Sequence, residues 1–384
     1  MFVAVVGGNL QGVEATYLAH KAGWKVMVID KKPTVPASGL CDFFVQLDVT
    51  AVEELGRTLK GIDLVIPALE NYDALYALNQ WTRSNSVPFA FDLEAYLISS
   101  SKVKSDKLFA RIGIPTPKPW PESGFPVIAK PSEGSGSQGV LIINDPDEMK
   151  RRFHVSIPSE KWVVQEFVQG PTYSLEVIGF PEHYTVLYAT DLAMDAYYDC
   201  KRVIAPTELS TEQIKEFEDI SVVMADALKL HGLMDIEVIL NDGVMKVLEI
   251  DARLPSQTPT AVYWSTGLNM VQLLGELFLY GHQKRQDTQI VPRGVVYEHI
   301  KVSSDVLTIA GEHIMSGVND LYLSKDFFGA DETITNYTPD REEWVATLII
   351  SGADRQKAWA KRCGVIDKIR KRFGLSLYSD PVPV

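Results

Sequence analysis

The first hundred residues alternate short, continuous apolar runs with longer amphipathic stretches. Such runs, ending at glycine or at a polar residue, are typical of parallel strands that are buried on both faces. Strand and helix in alternation predict a doubly wound α/β domain, with ligands at the carboxyl ends of the strands. The predicted strands are Phe2–Val6, Lys25–Asp30, Asp63–Pro67 and Val87–Asp92, and the predicted helices are Gln11–Ala22 and Asp73–Ser84.

A glycine-rich loop, Ser132–Gly139, interrupts the middle of the chain. It follows a predicted strand, Phe125–Pro131, that carries Lys130 near its end, and the predicted strands Val140–Ile143 and Trp162–Val168 come after it. Backbone N–H groups of such a loop can surround phosphates, while a lysine adds a positive charge to the same oxygens. The alternative is an ordinary linker, and the lysine spacing of a P-loop is absent.

A predicted hairpin later in the chain contains Glu237, Glu249 and Asp251. With a two-residue turn at Asp242-Gly243, Glu237 and Glu249 would point to opposite faces. With a three-residue loop, Asn241–Gly243, all three carboxylates would share one face. Because three carboxylates repel one another unless a divalent cation joins them, we predict the three-residue loop and Mg²⁺ on that face. The alternative is a solvated acidic face.

The C-terminal region shows two further patterns. A basic stretch from Asp354 to Arg372 predicts a terminal helix with a solvated face. The last ten residues, Leu375–Val384, contain two prolines and predict a disordered tail. The chain as a whole is predicted to be α/β, with domains at residues 1–100, 101–180 and 181–384.

The composition of the 384 residues excludes several classes of protein. A hydrophobic fraction of 46% excludes a disordered chain, and the net charge of −13 disfavours nucleic acid and anionic membranes as partners. The charge is uneven: 7 − 11 = −4 in residues 1–100, 10 − 9 = +1 in 101–180 and 20 − 30 = −10 in 181–384. The middle segment therefore suits anion binding best. Three widely spaced cysteines, and no apolar run long enough to span a bilayer, predict a cytoplasmic protein.

The loop Gly7–Gly12, followed by Asp30 at the end of the second predicted strand, invites a dinucleotide-binding interpretation. However, Asn9 stands where that fingerprint requires a glycine for close approach to the pyrophosphate. The loop alone therefore favours a tight turn without a ligand over NAD binding. Asp48 and the pair Glu70-Asn71 also lie where predicted strands end, which makes this rim polar enough for a ligand site.

The order of these motifs resembles that of the ATP-grasp carboxylate–amine ligases. The resemblance rests on Lys104, Ile114–Pro117, Lys130-Pro131, Gln165–Val168, Glu237 and Glu249–Arg253. The segments Gly7–Gly12, Tyr198–Cys200 and Ile250–Thr260 are similar to the ligases of pyrrolysine biosynthesis, which join 3-methyl-D-ornithine to L-lysine. This resemblance implies an ATP-grasp fold with an N-terminal Rossmann-like domain, a small α+β lid and a C-terminal antiparallel-sheet domain.

The resemblance also implies a set of residues for each ligand. ATP would contact Asn9, Asp30, Asp48, Val49, Lys104, Lys130, Ser137, Gln165, Glu166, Phe167 and Val168. Two Mg²⁺ ions would be held by Glu237, Glu249 and Asp251. The ornithine-type substrate would contact Ser174, Leu175, Glu176, Asp235, Arg253, Leu254, Pro255, Ser256, Gln257 and Thr258, and L-lysine would contact Leu10, Gln11, Asn71 and Ser256. The alignment around Lys104 is loose, so a neighbouring charged residue is the alternative there.

The chemistry of these residue types fits the implied reaction. A carboxylate is a poor electrophile for an amine, so ATP must first convert it to an acyl phosphate. Arg253 is expected to bind the reacting carboxylate as a planar fork and to stabilise the acyl phosphate. The alternative for Arg253 is an ordinary ion pair with Asp251 or Glu249.

The ammonium groups of two diamino acids need acidic partners, for which Asp235 and Glu176 are the candidates. The alternatives are a turn cap for Asp235 and a solvated strand position for Glu176. Ser256 and Thr258 either donate hydrogen bonds to a carboxylate or cap a helix that starts nearby. None of the seven histidines lies in a motif, so no general base is predicted.

Two other functions remain open from the sequence. One is a different ATP-grasp amino-acid ligase or a carboxylase, and the other is a nucleotide-binding sensor without turnover. The retained lysine, carboxylate and arginine set argues against the sensor. Dimers are common in this superfamily, and the sequence leaves the oligomeric state open.

Overall fold

The computed structural model describes residues 1–134, 136, 139–153, 160–282 and 291–383. The strands are β1 (Phe2–Val6), β2 (Lys25–Asp30), β3 (Phe43–Gln46), β4 (Leu64–Pro67), β5 (Val127–Pro131), β6 (Leu141–Ile143), β7 (Trp162–Glu166), β8 (Thr172–Phe180), β9 (His183–Val186), β10 (Thr190–Met194), β11 (Cys200–Ala205), β12 (Gly232–Asn241), β13 (Val244–Asp251), β14 (Gly294–Ser303), β15 (Val306–Ile309), β16 (Tyr322–Lys325), β17 (Glu332–Thr335), β18 (Trp344–Gly352) and β19 (Leu377–Ser379). The α-helices are α1 (Leu10–Lys21), α2 (Val52–Thr58), α3 (Tyr72–Asn85), α4 (Leu93–Ser99), α5 (Lys102–Ile112), α6 (Pro146–Phe153), α7 (Thr211–Leu228), α8 (Thr258–Thr266), α9 (Met270–Tyr280), α10 (His313–Ser316) and α11 (Arg355–Phe373).

These elements gather into two compact units. The first unit comprises Met1–Leu93, Leu192–Thr207 and Arg253–Val384, and the second comprises Glu94–Asp191 and Glu208–Ala252. The three domains predicted from the sequence stay a prediction. Among the helices that the structure describes, none combines the length and the apolarity needed to cross a bilayer.

The first unit contains a parallel sheet with the strand order β3-β2-β1-β4. Strands β1 and β2 confirm the sequence prediction with the same bounds, and β1 is almost completely buried, as a central parallel strand should be. The predicted strand Val87–Asp92 is wrong, because this segment contributes only one parallel bridge, between Val65 and Phe89. Pro88 has no N–H group to extend the ladder.

The same unit contains an antiparallel sheet with the order β11-β14-β18-β17-β16, in which β15 pairs with β14. Helix α11 packs against β14 and β18. Its apolar side chains, among them Val365, Ile366 and Ile369, join the core with Trp344 and Leu348 of β18. The terminal helix predicted from the sequence is therefore confirmed.

The predicted disordered tail is wrong. Strand β19 pairs in parallel with β15, and the Asp380 carboxylate that follows it lies 2.6 Å from Lys201 Nζ and 2.7 Å from Arg202 Nη2. Lys201 and Arg202 are buried on β11, with 1% and 6% of their surface exposed. Buried cations require counter-charges, and the tail supplies one of them, alongside Glu298 of β14, which pairs with Arg202.

The second unit contains two sheets. The small sheet has the order β6-β5-β7, and Val127, Ala129 and Ile143 form its buried face with Met149 of α6. In the other sheet, β12 lies between β13 and β8, and β9 pairs with the outer side of β8. One face of that sheet packs against α7 in the main core of the unit, which leaves the opposite face for polar side chains.

Candidate active site

Glu237 and Glu249 lie opposite each other on β12 and β13. The hairpin turn contains two residues, Asp242-Gly243, whose φ angles of 50° and 78° are those that a type I′ turn requires. The predicted three-residue loop is therefore wrong. The predicted shared face is confirmed all the same, because a β-bulge at Leu248 shifts the register by one residue before Glu249.

Six polar side chains form two rows across β8, β12 and β13. Paired residues of antiparallel strands share a face, as do residues two positions apart along one strand. All six side chains therefore project from one face, which we call the acidic face. The first row of the acidic face consists of Glu176, Asp235 and Asp251, and the second row consists of Ser174, Glu237 and Glu249.

The acidic face settles several sequence alternatives. Asp235 lies within β12, where it accepts a hydrogen bond from the Ser174 hydroxyl, and so it is not a turn cap. Glu176 is completely buried and so is not a solvated strand residue. Leu175 pairs with Ile236 on the opposite face and lies in the core. The Leu175 side chain therefore points away from the acidic face, and a substrate contact at this residue stays a prediction.

Lys102, rather than Lys104, reaches the acidic face. Lys102 Nζ lies 2.6 Å from Glu249 Oε1 and donates to the Gly134 carbonyl at 2.9 Å. Lys104 Nζ instead donates to the Leu97 carbonyl at 2.9 Å. The two lysines are two residues apart on α5, so their side chains leave the helix in nearly opposite directions.

Burial and like charges shift pKa values around this face. Burial raises the pKa of Glu237 well above its usual range, and the neighbouring carboxylates raise it further. Burial also raises the pKa of Asp106 to about 6. Burial lowers the pKa of Lys130, although Glu249 opposes this shift. Burial opposes the charge of Lys102 as well, but the carboxylates outweigh it and raise the pKa of this lysine.

The donor set of the acidic face fits Mg²⁺. Glu237, Glu249 and Asp251 offer carboxylate oxygens, which are the ligands that this ion prefers. Burial of Glu237, together with the neighbouring carboxylates, raises its pKa, and a cation bound on this face would oppose that shift. Lys102 engages Glu249 Oε1, so an ion that binds this oxygen must displace the ammonium group.

The segment predicted to contact adenine begins at the end of β7. Gln165 is buried, and Glu166 accepts hydrogen bonds from Lys246 Nζ at 2.9 Å and from the Lys118 backbone N–H at 3.2 Å. Phe167 donates its backbone N–H to the Pro126 carbonyl, and Val168 follows it. The remaining residue predicted for the phosphates, Ser137, lies outside the described residues.

The nucleotide neighbours predicted in the first unit stabilise their own loops. Asp30 accepts the backbone N–H groups of Gly8 and Lys32, each at 2.9 Å. Asp48 accepts both the N–H and the hydroxyl of the second residue after it, and these hydrogen bonds lower its pKa. Asn9 is the exposed residue that precedes α1, and Val49 is buried. A role for these four residues in ATP binding stays a prediction.

Arg253, at the start of the last segment of the first unit, forms an ion pair with Glu70. Arg253 Nη2 lies 3.1 Å from Glu70 Oε1, and Gln11 Nε2 donates to the same oxygen at 3.2 Å. Glu70 is a partner that was not considered from the sequence, where Asp251 and Glu249 were the alternatives. Asn71 caps α3 by accepting the Ala74 N–H, and Leu10 begins α1.

The residues after Arg253 approach a second acid, Glu312. Ser256 Oγ and Gln257 Nε2 donate to Glu312 Oε2 at 2.6 and 2.8 Å. Residue 257 precedes α8 as its N-cap, so the predicted capping by Ser256 or Thr258 is wrong. Leu254, Pro255 and Thr258 are buried.

Sequence reasoning missed four charged residues of these sites: Lys102, Asp106, Lys246 and Glu312. Glu70 was already part of the polar rim predicted from the sequence. Only Lys102 had a usable signal, since a helix starting near Ser101 places it and Lys104 on different sides. Lys246 and Glu312 contact residues far away in the sequence, and the type of a missed residue alone does not distinguish it from a surface charge.

The fold and the charged face define an ATP-grasp protein. A model of the ATP-grasp domain matches residues 99–257, and a model described as the PylC-like N-terminal domain matches residues 3–87. The chain is 37% identical over 374 residues to the 3-methyl-D-ornithine–L-lysine ligase of Methanosarcina mazei, which covers 97% of this chain and 96% of that protein. The ligase of the same name from Methanosarcina barkeri is 36% identical over 381 residues, or 98% and 99% of the two chains. The chain therefore belongs to the 3-methyl-D-ornithine–L-lysine ligase family.

Solved structures confirm the ATP-grasp fold. The biotin carboxylase domain of Hydrogenobacter thermophilus 2-oxoglutarate carboxylase matches with a TM-score of 0.73 at 14% identity, covering 95% of this chain and 89% of that one. The L-amino acid ligase of Bacillus licheniformis matches with a TM-score of 0.68 at 18% identity, covering 96% and 97%. At these identities the likeness supports the fold alone.

Proposed function

We propose that the protein is an ATP-dependent ligase of pyrrolysine biosynthesis. It joins the carboxylate of (3R)-3-methyl-D-ornithine to the ε-amine of L-lysine through an acyl phosphate, and so forms 3-methylornithinyl-N6-lysine. The observation that carries this proposal is the similarity to ligases of that name over nearly the whole chain. The acidic face and its two lysines support it, because they offer ligands for both Mg²⁺ and phosphate oxygens.

The described residues suggest how the chain acts on ATP. Lys130 and Lys102 supply positive charge to the phosphates, and Lys102 replaces Lys104 in this role because it lies at the acidic face. Glu237, Glu249 and Asp251 hold Mg²⁺, and we propose two ions. When bound, Mg²⁺ neutralises the charge that develops on the phosphate oxygens. Gln165–Val168 lie beside adenine.

The acidic partners of the substrates follow from burial. Glu176 and Asp235 lie in one row of the acidic face and are buried, so an ammonium group of the ornithine-type substrate is a matching partner. Arg253 binds the carboxylate that is activated. In the structure its guanidinium group is paired with Glu70, which orients the planar fork that a carboxylate would meet.

The decisive experiment supplies pairs of substrates and follows both ADP and product mass. With Mg²⁺, D-ornithine or its 3-methyl derivative and L-lysine, we expect ADP and a product whose mass equals the sum of the two amino acids minus water. Turnover with bicarbonate or with D-alanine in place of the ornithine would favour a different ATP-grasp ligase or a carboxylase. ATP binding without ADP formation for any pair would favour a sensor.

We also propose a homodimer in the cytoplasm. The solved biotin carboxylase domain of similar fold is described as a dimer, and all three cysteines here are free. Sedimentation velocity should give a particle of twice the 42.8 kDa chain mass. A particle of one chain mass at all concentrations would contradict the dimer.

A further inference from the structure

Glu312 belongs to the first unit and has no role in the ligase reaction proposed above. It is partly buried just before α10, and burial raises its pKa. Its Oε2 accepts both the Ser256 hydroxyl and the Gln257 amide N–H. Among the described residues, none donates a hydrogen bond to its Oε1. One oxygen of a fixed carboxylate is therefore left for another donor.

Two aspartates hold the backbone on both sides of Glu312. Asp195 Oδ2 accepts the Gly311 N–H at 2.9 Å, and Asp199 Oδ2 accepts the His313 N–H at 3.0 Å and is also 2.5 Å from His313 Nδ1. The ligand atoms of Asp195, Asp199 and His313 lie within 4.8 Å of one another, as in a metal site. However, the two carboxylates already accept these backbone N–H groups, so we interpret the group as a clamp that positions Glu312. This gives the Tyr198–Cys200 motif a structural role.

A second, independent observation lies in the Gln257 side chain. It is only 4% exposed, and its Nε2 donates to both Glu312 Oε2 and the Cys200 carbonyl, which fixes the orientation of the amide. Its Oε1 is buried and has no hydrogen-bond partner in the described part of the chain. A buried oxygen without a donor is costly, so its presence beside a carboxylate indicates a missing partner that is rich in N–H groups.

We propose that Glu312 and Gln257 together bind an ammonium group of a diamino-acid substrate. An ammonium group brings one positive charge and three N–H donors, which match the unused acceptor oxygens of the two side chains. Glu312 thus selects diamino acids over amino acids with one ammonium group fewer. This inference rests on the proposed function and adds to it a specificity-determining residue.

The test compares the native enzyme with Glu312→Gln, which keeps the side-chain shape and removes the charge. Binding is measured by calorimetry, and turnover by ADP release, for D-ornithine and L-lysine. The same measurements use analogues that each lack one ammonium group, namely D-norvaline and 5-aminopentanoate for ornithine and 6-aminohexanoate for lysine. Glu343→Gln is the matched control, since Glu343 also accepts a serine hydroxyl but is exposed.

For one of the two diamino acids, Glu312→Gln should weaken binding about 10- to 100-fold, the loss expected for a hydrogen bond to a charged group. The native enzyme prefers that substrate over the analogue that lacks the ammonium group bound by Glu312. This preference should fall by the same factor in Glu312→Gln, because the analogue makes no contact with Glu312. The KM for ATP should change by less than about twofold, as should every value for the control.

Equal losses for substrate and analogues, or no loss, would overturn the proposal, as would a native enzyme that binds neither diamino acid. If the native enzyme binds them and loses binding on Glu312→Gln but forms no product, the proposed reaction fails and the ammonium site stands. Should Glu312→Gln not fold by circular dichroism, Glu312→Asp replaces it. Glu312→Asp keeps the negative charge, so it should still bind the diamino acid more tightly than the analogue that lacks one ammonium group. Loss of that preference would count against the site.

Discussion

The Lys102–Glu249 ion pair makes a prediction in which two effects of one substitution have opposite signs. The Lys102 ammonium group lies 2.6 Å from Glu249 Oε1, and we propose that Mg²⁺ takes this oxygen when it binds. Lys102→Met should therefore strengthen Mg²⁺ binding to the free enzyme, because the ion no longer has to displace the lysine. The same substitution should weaken ATP binding, because a positive charge for the phosphates is lost.

The size of the effect follows from the geometry. A hydrogen bond to a charged group contributes about 1.5–3 kcal/mol. The side chains of Lys102 and Glu249 are 14% and 29% exposed, so solvent screening favours the lower end, about 1.5 kcal/mol. Since about 1.4 kcal/mol corresponds to a tenfold change, Mg²⁺ affinity should rise about tenfold. The KM for ATP should rise by about the same factor or more.

Calorimetric titration of Mg²⁺ into nucleotide-free enzyme, and initial rates over a range of ATP concentrations, measure the two effects. Lys104→Met is the matched control. Lys104 donates only to the Leu97 carbonyl, so both values should stay within about twofold of the native ones. Weaker Mg²⁺ binding in Lys102→Met, or the same pair of changes in Lys104→Met, would refute the assignment of the phosphate lysine.

Three further predictions concern the acidic face, the buried Glu14 and the tail. Glu237→Gln should weaken Mg²⁺ binding at least about tenfold by calorimetry because a charged ligand is lost, whereas Glu216→Gln on the exposed side of α7 should not. Burial raises the pKa of Glu14 from 4.5 to about 7, so the folded protein holds this proton more tightly than the unfolded chain does. The contribution of Glu14 to the free energy of unfolding is fully present below pH 4.5. About 3 kcal/mol of it is lost as the pH rises to about 7. In thermal unfolding at several pH values, the stability of Glu14→Gln should fall less steeply with rising pH than that of the native protein. An equally steep fall in both proteins would contradict the prediction. Asp380→Asn should destabilise the protein by about 1–3 kcal/mol in thermal unfolding because it removes a charge from buried cations, while the exposed Asp340→Asn should have no measurable effect.

The elements that were predicted well are those whose signal is local. Strands β1 and β2 are short apolar runs, and helix α11 is a long amphipathic stretch with Gly374 as its left-handed C-cap. Such patterns describe a segment completely without reference to its neighbours. Strand β3 was missed because only two of its residues are even partly buried, which leaves little hydrophobic pattern to detect.

The candidate site was harder to predict because its charges are matched at long range. The tail was expected to be disordered from its composition, yet Asp380 stabilises two buried cations about 180 residues earlier in the chain. Arg253 likewise pairs with Glu70, which is distant from it in the sequence. A sequence shows which residues carry charge, but only the fold shows which of them are buried and therefore need a partner.

The hairpin of β12 and β13 could have been solved from its apolar residues. A two-residue turn without a bulge would place Glu249 opposite Ile236 and Asp251 opposite Met234. Ile236 and Met234 are completely buried, so two carboxylates would enter the core at a cost of several kcal/mol each. The predicted three-residue loop avoids this but places Val247 opposite Glu237, which would move a fully buried valine onto the acidic face.

Only the bulged register keeps Met245, Val247 and Ile250 in the core together with their partners on β12. The spacing of these three residues carries the signal. Met245 and Val247 are two positions apart, as alternation requires, but Val247 and Ile250 are three apart, so one residue between them must be extra. That residue is Leu248. Its bulge allows the tight turn favoured by Asp242-Gly243 and the acidic face to occur in the same hairpin, because it reverses the alternation just before Glu249 and Asp251.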